Sequence, residues 1–180
     1  MLHVKTISYE RVTQKTFTKA NAFIWEQCQL HYGDKIMPER YEVLKKRIEV
    51  EMSRPECCAI FIALNEKDEV VGVIALSDYD DRIESIQGRY RTRQTAEMSR
   101  CYVHEAYRRC GIGVRLFELA TTFAKEKGYE MLYLHTHYFL PGGFLFWSAM
   151  GFAITLDEDD GVWQTVHMER LVDQEARSYA

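Results

Sequence analysis

The sequence predicts a single domain over residues 1–180, of the α/β (α+β) class with a mixed sheet, on three observations. Two apolar runs, residues 57–64 and 70–77, flank the polar segment Asn65-Glu66-Lys67-Asp68, which predicts an antiparallel hairpin. Further along, an amphipathic helical pattern stands between two strand-like runs, which predicts a parallel crossover. The 180 residues contain no repeat and only three prolines, so no linker divides the chain.

The elements of the N-terminal half follow from apolar spacing and from helix end signals. Phe17, Ala20 and Ile24 recur at helical spacing, and Gly33 follows as a helix stop. Pro38 suits an early helical position, and the second helix must close before Pro55. The predicted elements are strand 2–8, helix 17–31, helix 38–52 and the hairpin strands 57–64 and 70–77.

The C-terminal half alternates strands and helices. Residues 78–94 are polar and charged, which predicts an exposed loop. One face of the next helical pattern is apolar from Ile112 to Ala124, and Gly128 occupies the usual C-cap position. The elements predicted after the loop are strand 95–104, a helix from Gly113 to just before Gly128, strand 131–136, helix 142–150 and strands 152–156 and 162–171.

The composition excludes several classes of function. Lys plus Arg total 23 and Asp plus Glu total 27, so the formal net charge of −4 argues against nucleic acid as a partner. The longest apolar run, residues 70–76, is far below the ~18 residues of a membrane helix. Residues 1–5 lack the profile of a secretory leader. Five cysteines without C-x-x-C spacing indicate reduced thiols, so we expect a cytoplasmic protein with no membrane partner.

The most informative segment is the junction between a strand and a helix before residue 114. It contains Arg108, Arg109, Gly111 and Gly113. Glycines allow close backbone approach, and unpaired amides at a helix start attract anions, as do the two arginines. The simpler alternative is a helix start with glycines in a turn and two solvated arginines. A P-loop is excluded because Gly-Lys-Ser/Thr is absent, and a dinucleotide motif is excluded because Leu116 replaces its third glycine.

Three short motifs, in this order and at this spacing, resemble the GNAT superfamily of acyl-CoA-dependent N-acetyltransferases. They are Ala96-Glu97-Met98-Ser99-Arg100-Cys101-Tyr102-Val103, Arg108-x-x-Gly111-x-Gly113 and Met150-Gly151-Phe152. The resemblance covers about residues 95–155. It implies a GNAT-like fold, with a mixed and centrally splayed β-sheet flanked by helices and a β-bulge in strand 95–104. It also implies acetyl-CoA (CoA) as the cofactor.

The same resemblance implies which residues contact the cofactor. The backbone of Cys101, Tyr102 and Val103 is expected to pair with the pantetheine arm, as if the arm added a half-strand to the splayed sheet. The turn before the helix is expected to cradle the pyrophosphate, because its glycines let the phosphates approach. The residues of that turn are Arg108, Arg109, Cys110, Gly111, Ile112 and Gly113.

Glu97 is the expected general base. In the superfamily, a glutamate at this spacing often removes the ammonium proton, directly or through water. Six strand residues separate Glu97 from Val103, roughly 20 Å, so an extended pantetheine arm can end near it. The alternatives are an exposed strand carboxylate or an ion pair with Arg100. A backbone amide of the splayed strand is expected to hold the oxyanion.

The proton donor to the departing thiolate is left unassigned. Many superfamily members have a tyrosine four residues before the Gly-Phe pair, where this chain has Trp147. An indole is no acid near neutral pH, so we expect Trp147 to line the acyl or cofactor channel. Tyr138 is a candidate substitute, although a tyrosine satisfied at a strand end is the simpler interpretation. His135 and His137 share a face of a strand, but no third ligand is indicated, so we expect no metal site.

Together, the observations predict an enzyme, an N-acetyltransferase that moves an acetyl group from acetyl-CoA to a primary amine by direct attack in a ternary complex. The amine is expected on a small molecule or a peptide, and its identity, the acyl length and a homodimer are left open. Three alternatives remain. They are a catalytically silent acyl-CoA-binding or sensing domain, an enzyme for longer acyl groups, and an interaction module that uses the apolar segment 139–147.

Overall fold

Helices and strands follow the predicted order in the computed structural model, which describes residues 6–174. The elements are β1 (Ser8–Arg11), α1 (Phe17–Tyr32), α2 (Pro38–Met52), β2 (Ala59–Leu64), β3 (Val70–Asp78), β4 (Thr95–Val103), α3 (Ile112–Glu126), β5 (Met131–His137), α4 (Gly143–Ala149), β6 (Ala153–Asp157) and β7 (Thr165–Leu171). The first strand begins later than predicted, at Ser8, and residues 2–5 of the prediction lie outside the described residues.

The described residues form two compact units. The first combines the chain up to Ser77 with Arg100–Ala120, and the second combines Asp78–Ser99 with the chain from Thr121. Strand β4 and helix α3 each contribute one part to each unit. The single domain expected over residues 1–180 stays a prediction. Among residues 6–174, no helix is long and apolar enough to cross a membrane.

The first unit contains the antiparallel strands β1, β2 and β3 in that order, with Ser8 opposite Leu64. The predicted hairpin turn is confirmed, because the Asp68 amide donates to the Asn65 carbonyl at 3.0 Å. All six residues of β2 are buried. The apolar residues of α1, α2 and the strands form one core: Val12, Ala20, Phe23, Ile24, Ile48, Ile60, Ile62, Leu64, Val73 and Ala75.

Gly72 lets the start of α3 lie directly against β3. A Cβ atom at this position would stand 2.9 Å from Cγ2 of Ile112 and 3.1 Å from Cδ1 of Leu116. A side chain would therefore force the helix or its side chains to shift. The missing side chain fixes where α3 begins, and so it also fixes the turn that precedes the helix.

The second unit contains the mixed part of the sheet. The first residues of β4, from Thr95 to Glu97, pair in parallel with β5 from Met131 to Tyr133, as the crossover prediction requires. Strand β5 then pairs antiparallel with β7, and β7 pairs antiparallel with β6. The ladder with β4 covers three residue pairs, although β5 continues to His137. This early divergence is what a splayed sheet requires, and the predicted fold class is confirmed.

The prediction that residues 78–94 form an exposed loop was wrong in part. Ile86 and Tyr90 are buried and pack with Met131 and Tyr133 of β5. The apolar side chains of this segment stand singly among polar and charged neighbours, so no periodic pattern reveals them. They nevertheless fold inward, because together they cover one end of β5.

Candidate functional site

The turn of residues 108–113 lies in the first unit, immediately before α3. Arg109 and Gly111 adopt left-handed φ values of +61° and +79°, a region that glycine occupies without strain. A Cβ atom built on Gly111 would have no heavy atom within 4 Å. Both residues are exposed, as is Cys110 between them. The backbone of this turn therefore borders open space.

The amino end of α3 presents amides that precede its hydrogen-bond ladder. The first i→i−4 bond is donated by the amide of Arg115 to the carbonyl of Gly111, at 3.0 Å. The amides of residues 111–114 therefore have no intrahelical partner. The helix dipole makes this end electropositive, and two arginines precede it in the chain. The arrangement suits a phosphate-type anion.

The two arginines of the turn have different surroundings. Nε of Arg108 donates to the carbonyl of Val103 at 3.1 Å, and its side chain is half-buried, whereas Arg109 is exposed. The bond joins the end of β4 to the turn. The same bond occupies the Val103 carbonyl, which the family resemblance implies would pair with the pantetheine arm.

The second half of β4 contains the other predicted backbone contacts, Cys101, Tyr102 and Val103, all half-buried. Burial raises the pKa of the Cys101 thiol to about 12, so the thiol is neutral near pH 7 and is no nucleophile. The ring of Tyr102 stacks on His31, with centroids 5.9 Å apart. The side chains of this half-strand are thus engaged in packing, and only its backbone is suited to pairing with a ligand.

Arg100 interrupts the regular geometry of β4. Its φ of +50° lies in the left-handed region, which is the local irregularity expected of the predicted bulge. Its Nη1 donates to Oε2 of Glu51 at 2.6 Å, and Arg47 donates to Oε1 of the same carboxylate at 3.0 Å. Arg100 is therefore the partner of Glu51.

Glu97 belongs to the second unit and to the first half of β4. Its side chain is only 3% exposed. Arg82 donates from Nη1 to Oε2 at 2.6 Å and from Nη2 to Oε1 at 2.8 Å, a bidentate ion pair. Burial alone would lower the pKa of Arg82, but hydrogen bonds and charge from Glu97 and Asp80 raise it above its ordinary value. The alternative of an exposed strand carboxylate was therefore wrong, and the bidentate partner of Glu97 is Arg82.

Arg82 and Glu97 begin a chain of polar side chains that extends across β5 and β7. We call it the Glu97 cluster, and its other members are Tyr133, His135, His167 and Glu158. Nδ1 of His135 lies 3.8 Å from Oε1 of Glu97 and 3.4 Å from the hydroxyl of Tyr133. That hydroxyl lies 2.8 Å from Nδ1 of His167, whose Nε2 lies 2.8 Å from Oε1 of Glu158. Tyr133 and His167 are buried, whereas the side chains of His135 and Glu158 are 33% and 27% exposed.

The surroundings of the cluster keep the imidazole of His135 and the phenol of Tyr133 neutral near pH 7. Burial lowers the pKa of His135 to about 4; the charge of Glu97 opposes this shift, and His137 and Arg82 add to it. Burial raises the pKa of Tyr133 far above its ordinary value. The cluster therefore contains neutral groups that can relay a proton beside a fixed carboxylate.

Trp147 is buried in the second unit. Its ring lies 4.9 Å from the ring of Phe146 and 5.3 Å from that of Phe152, measured between centroids. This packing accounts for a large aromatic residue here, and its contact with a cofactor stays a prediction. Tyr138 is exposed, and its hydroxyl donates to Asp157 at 2.7 Å, a bond that raises its pKa. Its structure matches the simpler interpretation, a tyrosine satisfied at a strand end.

Several members of the Glu97 cluster were missed by the sequence analysis. Arg82 comes from the loop predicted to be exposed, and Glu158 comes from an acidic run. The one available signal was the alternation of His135 and His137, whose rings do share a face, with centroids 5.9 Å apart. His167 lies directly opposite His135 in the β5–β7 ladder, and only that register brings the two together.

Comparison with known proteins finds similarity to acetyltransferases. A family model described as "Acetyltransferase (GNAT) family" matches residues 19–152. A protein named probable N-acetyltransferase 14, from Xenopus tropicalis, is 27% identical over 96 residues, which are 53% of this chain and 41% of that relative. The matched part thus spans about two fifths of the relative's length.

Solved structures resemble the chain over nearly its whole length. An acetyltransferase of the GNAT family from Staphylococcus aureus Mu50 has a TM-score of 0.71 at 19% identity, covering 93% of this chain and 99% of that chain. The PaiA N-acetyltransferase of Thermoplasma acidophilum, in complex with coenzyme A, has a TM-score of 0.68 at 20% identity, with coverages of 92% and 99%. At these identities the likeness establishes a shared fold.

Proposed function

The chain belongs to the acetyltransferase (GNAT) family, and from this premise we propose that it transfers an acetyl group from acetyl-CoA to a primary amine. The transfer is a direct attack of the amine in a ternary complex. The observation that supports this most is the turn of residues 108–113. An exposed arginine, open space beside Gly111 and the free amides of α3 occur together there.

The residues present fit the chemistry of acetyl-CoA. Its pyrophosphate is an extended anion, and the turn offers N–H donors, two cations and no side chain at Gly111. When bound, the group supplies the activated acetyl thioester. The Val103 carbonyl is used by Arg108, so that bond must be shared or replaced if the pantetheine arm pairs there. The proposed contacts are Cys101, Tyr102, Val103, Arg108, Arg109, Cys110, Gly111, Ile112, Gly113 and Trp147.

Glu97 is the general base in this proposal, directly or through water. Arg82 hydrogen-bonds to both of its oxygens, and its side chain is almost fully buried. These two facts favour an intermediary between the carboxylate and the amine over direct contact. A backbone amide of β4 is proposed to hold the oxyanion, a role that requires no particular side chain.

The acceptor is proposed to be a primary amine on a small molecule or a peptide. A cytoplasmic location, the absence of nucleic-acid and membrane partners, and a homodimer stay predictions. The alternative function is an acyl-CoA-binding domain without turnover. It is favoured by Trp147, which is buried where many superfamily members have the tyrosine that protonates the thiolate.

Calorimetric titration with acetyl-CoA, CoA and dephospho-CoA tests the proposal. We expect micromolar binding of both full cofactors and weaker binding of dephospho-CoA. A thiol-release assay over a panel of small amines and peptides then separates the two functions, because the binding domain releases none. No binding at high protein concentration would reject both functions, and the turn would then be an ordinary helix start.

A further inference from the structure

His135 is the member of the Glu97 cluster that lies beside the carboxylate and also reaches solvent. Its side chain is 33% exposed, and its Nδ1 is 3.8 Å from Oε1 of Glu97. Within residues 6–174, its Nε2 makes no hydrogen bond. One ring nitrogen is therefore held by the cluster, and the other makes no hydrogen bond among these residues.

A relay of hydrogen bonds determines which nitrogen of His135 has the proton. Glu158 is ionised, because hydrogen bonds from Ser85 and His167 lower its pKa, so its oxygens only accept. His167 therefore donates from Nε2 to Glu158 and accepts at Nδ1 from the hydroxyl of Tyr133. The Tyr133 oxygen in turn accepts from Nδ1–H of His135. This order leaves the lone pair of His135 on Nε2.

We propose that His135 accepts the proton of the substrate ammonium at Nε2, with Glu97 as the carboxylate that stabilises the resulting imidazolium from the side of Nδ1. The inference rests on the proposed function, in which Glu97 acts directly or through a water. Here the imidazole of His135 takes the place of that water. Glu97 then acts through His135 as a positioning residue, and Arg82 fixes the carboxylate. In this arrangement a buried carboxylate, Glu97, orients the base, His135.

The proton balance of the step is complete. The ammonium gives one proton to Nε2 of His135, and the nitrogen lone pair that this frees forms the bond to the acetyl carbonyl carbon. The carbon–sulfur bond breaks, and its electrons leave on sulfur. The second proton of the amine nitrogen goes to that thiolate, and His135 releases the first proton to water. The products are an amide, a thiol and one proton in solution.

The charged and titratable groups around His135 act in opposite directions on this proton transfer. Glu97 of β4 favours the imidazolium, whereas Arg82 of the preceding loop, His137 of β5 and His167 of β7 oppose it. The imidazole is thus neutral before the substrate arrives, and it becomes cationic only when the ammonium transfers its proton. The same balance favours release of that proton at the end of the cycle.

The first test compares His135→Gln with His137→Gln. His137 is the matched control, because it lies on the same face of β5, where its Nδ1 is 2.8 Å from the Trp163 carbonyl and 3.3 Å from the Thr165 hydroxyl. We expect His135→Gln to lower kcat by roughly 10²–10⁴, with unchanged acetyl-CoA affinity. His137→Gln should retain kcat within about threefold. Added imidazole should restore part of the activity of His135→Ala, which a purely structural role would not allow.

The outcomes separate this inference from the proposed function. Wild-type turnover with full activity in a folded His135→Gln overturns only the role of His135, and a water then serves Glu97. A wild type that binds acetyl-CoA but releases no thiol with any amine overturns both.

A second test needs no variant. Nitrogen-15 shifts of the imidazole rings in the wild-type protein should show His135 protonated at Nδ1 and His167 protonated at Nε2. Protonation of neutral His135 at Nε2 would leave no base facing the substrate and would overturn the inference. Tyr133→Phe should redistribute the His135 tautomers and lower kcat, with no change in acetyl-CoA affinity.

Discussion

The turn of residues 108–113 and the Glu97 cluster are built in opposite ways. The turn uses backbone: two left-handed residues, open space at Gly111 and the first amides of α3, all within a few residues of sequence. The cluster uses side chains from the 78–94 segment, β4, β5, β7 and the acidic run before β7, and three of them, Glu97, Tyr133 and His167, are buried. An anion site made of amides should tolerate changes of side chain and fail when its backbone is obstructed. The Glu97 cluster, in contrast, should fail when one of its side chains is changed.

The largest expected effect comes from obstructing the turn. Gly111→Arg places a side chain in the open space beside the amides, so we expect loss of acetyl-CoA and CoA affinity by at least about 100-fold, roughly 3 kcal/mol. Calorimetric titration measures this directly.

Gly128→Arg is the matched control for this substitution. Gly128 ends the same helix at a φ of +78°, also with no heavy atom within 4 Å of a Cβ atom, so the backbone strain is equal. This variant should bind acetyl-CoA like the wild type. Equal affinity in the two arginine variants would remove the turn from the cofactor site.

The next effect comes from removing one charge of the cluster. Glu97→Gln keeps the shape of the side chain, and we expect kcat to fall by roughly 10²–10⁴ with cofactor affinity nearly intact. Steady-state kinetics over a pH series measure the loss. An unchanged pH–rate profile would place proton removal in solvent.

Glu51→Gln controls for the loss of a buried, paired carboxylate. Glu51 is bound by Arg47 and Arg100 in the first unit, as Glu97 is bound by Arg82 in the second. Both substitutions should cost a few kcal/mol of stability, because each removes the charge of a buried carboxylate whose two oxygens both accept hydrogen bonds from guanidinium groups. Only Glu97→Gln should change the pH–rate profile.

The contrast also explains how much could be predicted from sequence. The helix over Pro38–Met52 and the turn before α3 depend on neighbours in the chain, and their glycines and prolines reveal them. The partner of Glu97 was not predictable, because Arg82 reaches the carboxylate from a segment with no periodic pattern. The pairing of His135 with His167 depends on the register of β5 and β7, which single-strand patterns do not encode.

A side-chain change in the turn should have a smaller effect than its obstruction. Arg109→Gln removes an exposed charge but leaves the amides in place, so we expect about tenfold weaker CoA binding at low salt. Lys125→Gln makes the same charge change at the other end of α3 and should bind normally. Because salt screens exposed charges, the tenfold difference should shrink at high ionic strength. A difference that persists in salt would indicate that Arg109 also shapes the backbone.

The smallest expected effect is on the pH dependence of the free energy of unfolding. The folded-state pKa of His135 is lowered to about 4, whereas an unfolded histidine titrates near 6.5. Between these values the unfolded state binds more protons, so the free energy of unfolding should fall as the pH drops from about 6.5 towards 4. A third of the side chain is exposed, so solvent screens the effect of the pKa shift. His135 should therefore contribute on the order of 1 kcal/mol to the change in the free energy of unfolding. Urea midpoints at pH 7 and 4.5 should therefore differ less in His135→Gln than in the wild type. Equal differences in the two proteins would show that the pKa of His135 is the same in the folded and unfolded states, and so would contradict the lowered pKa.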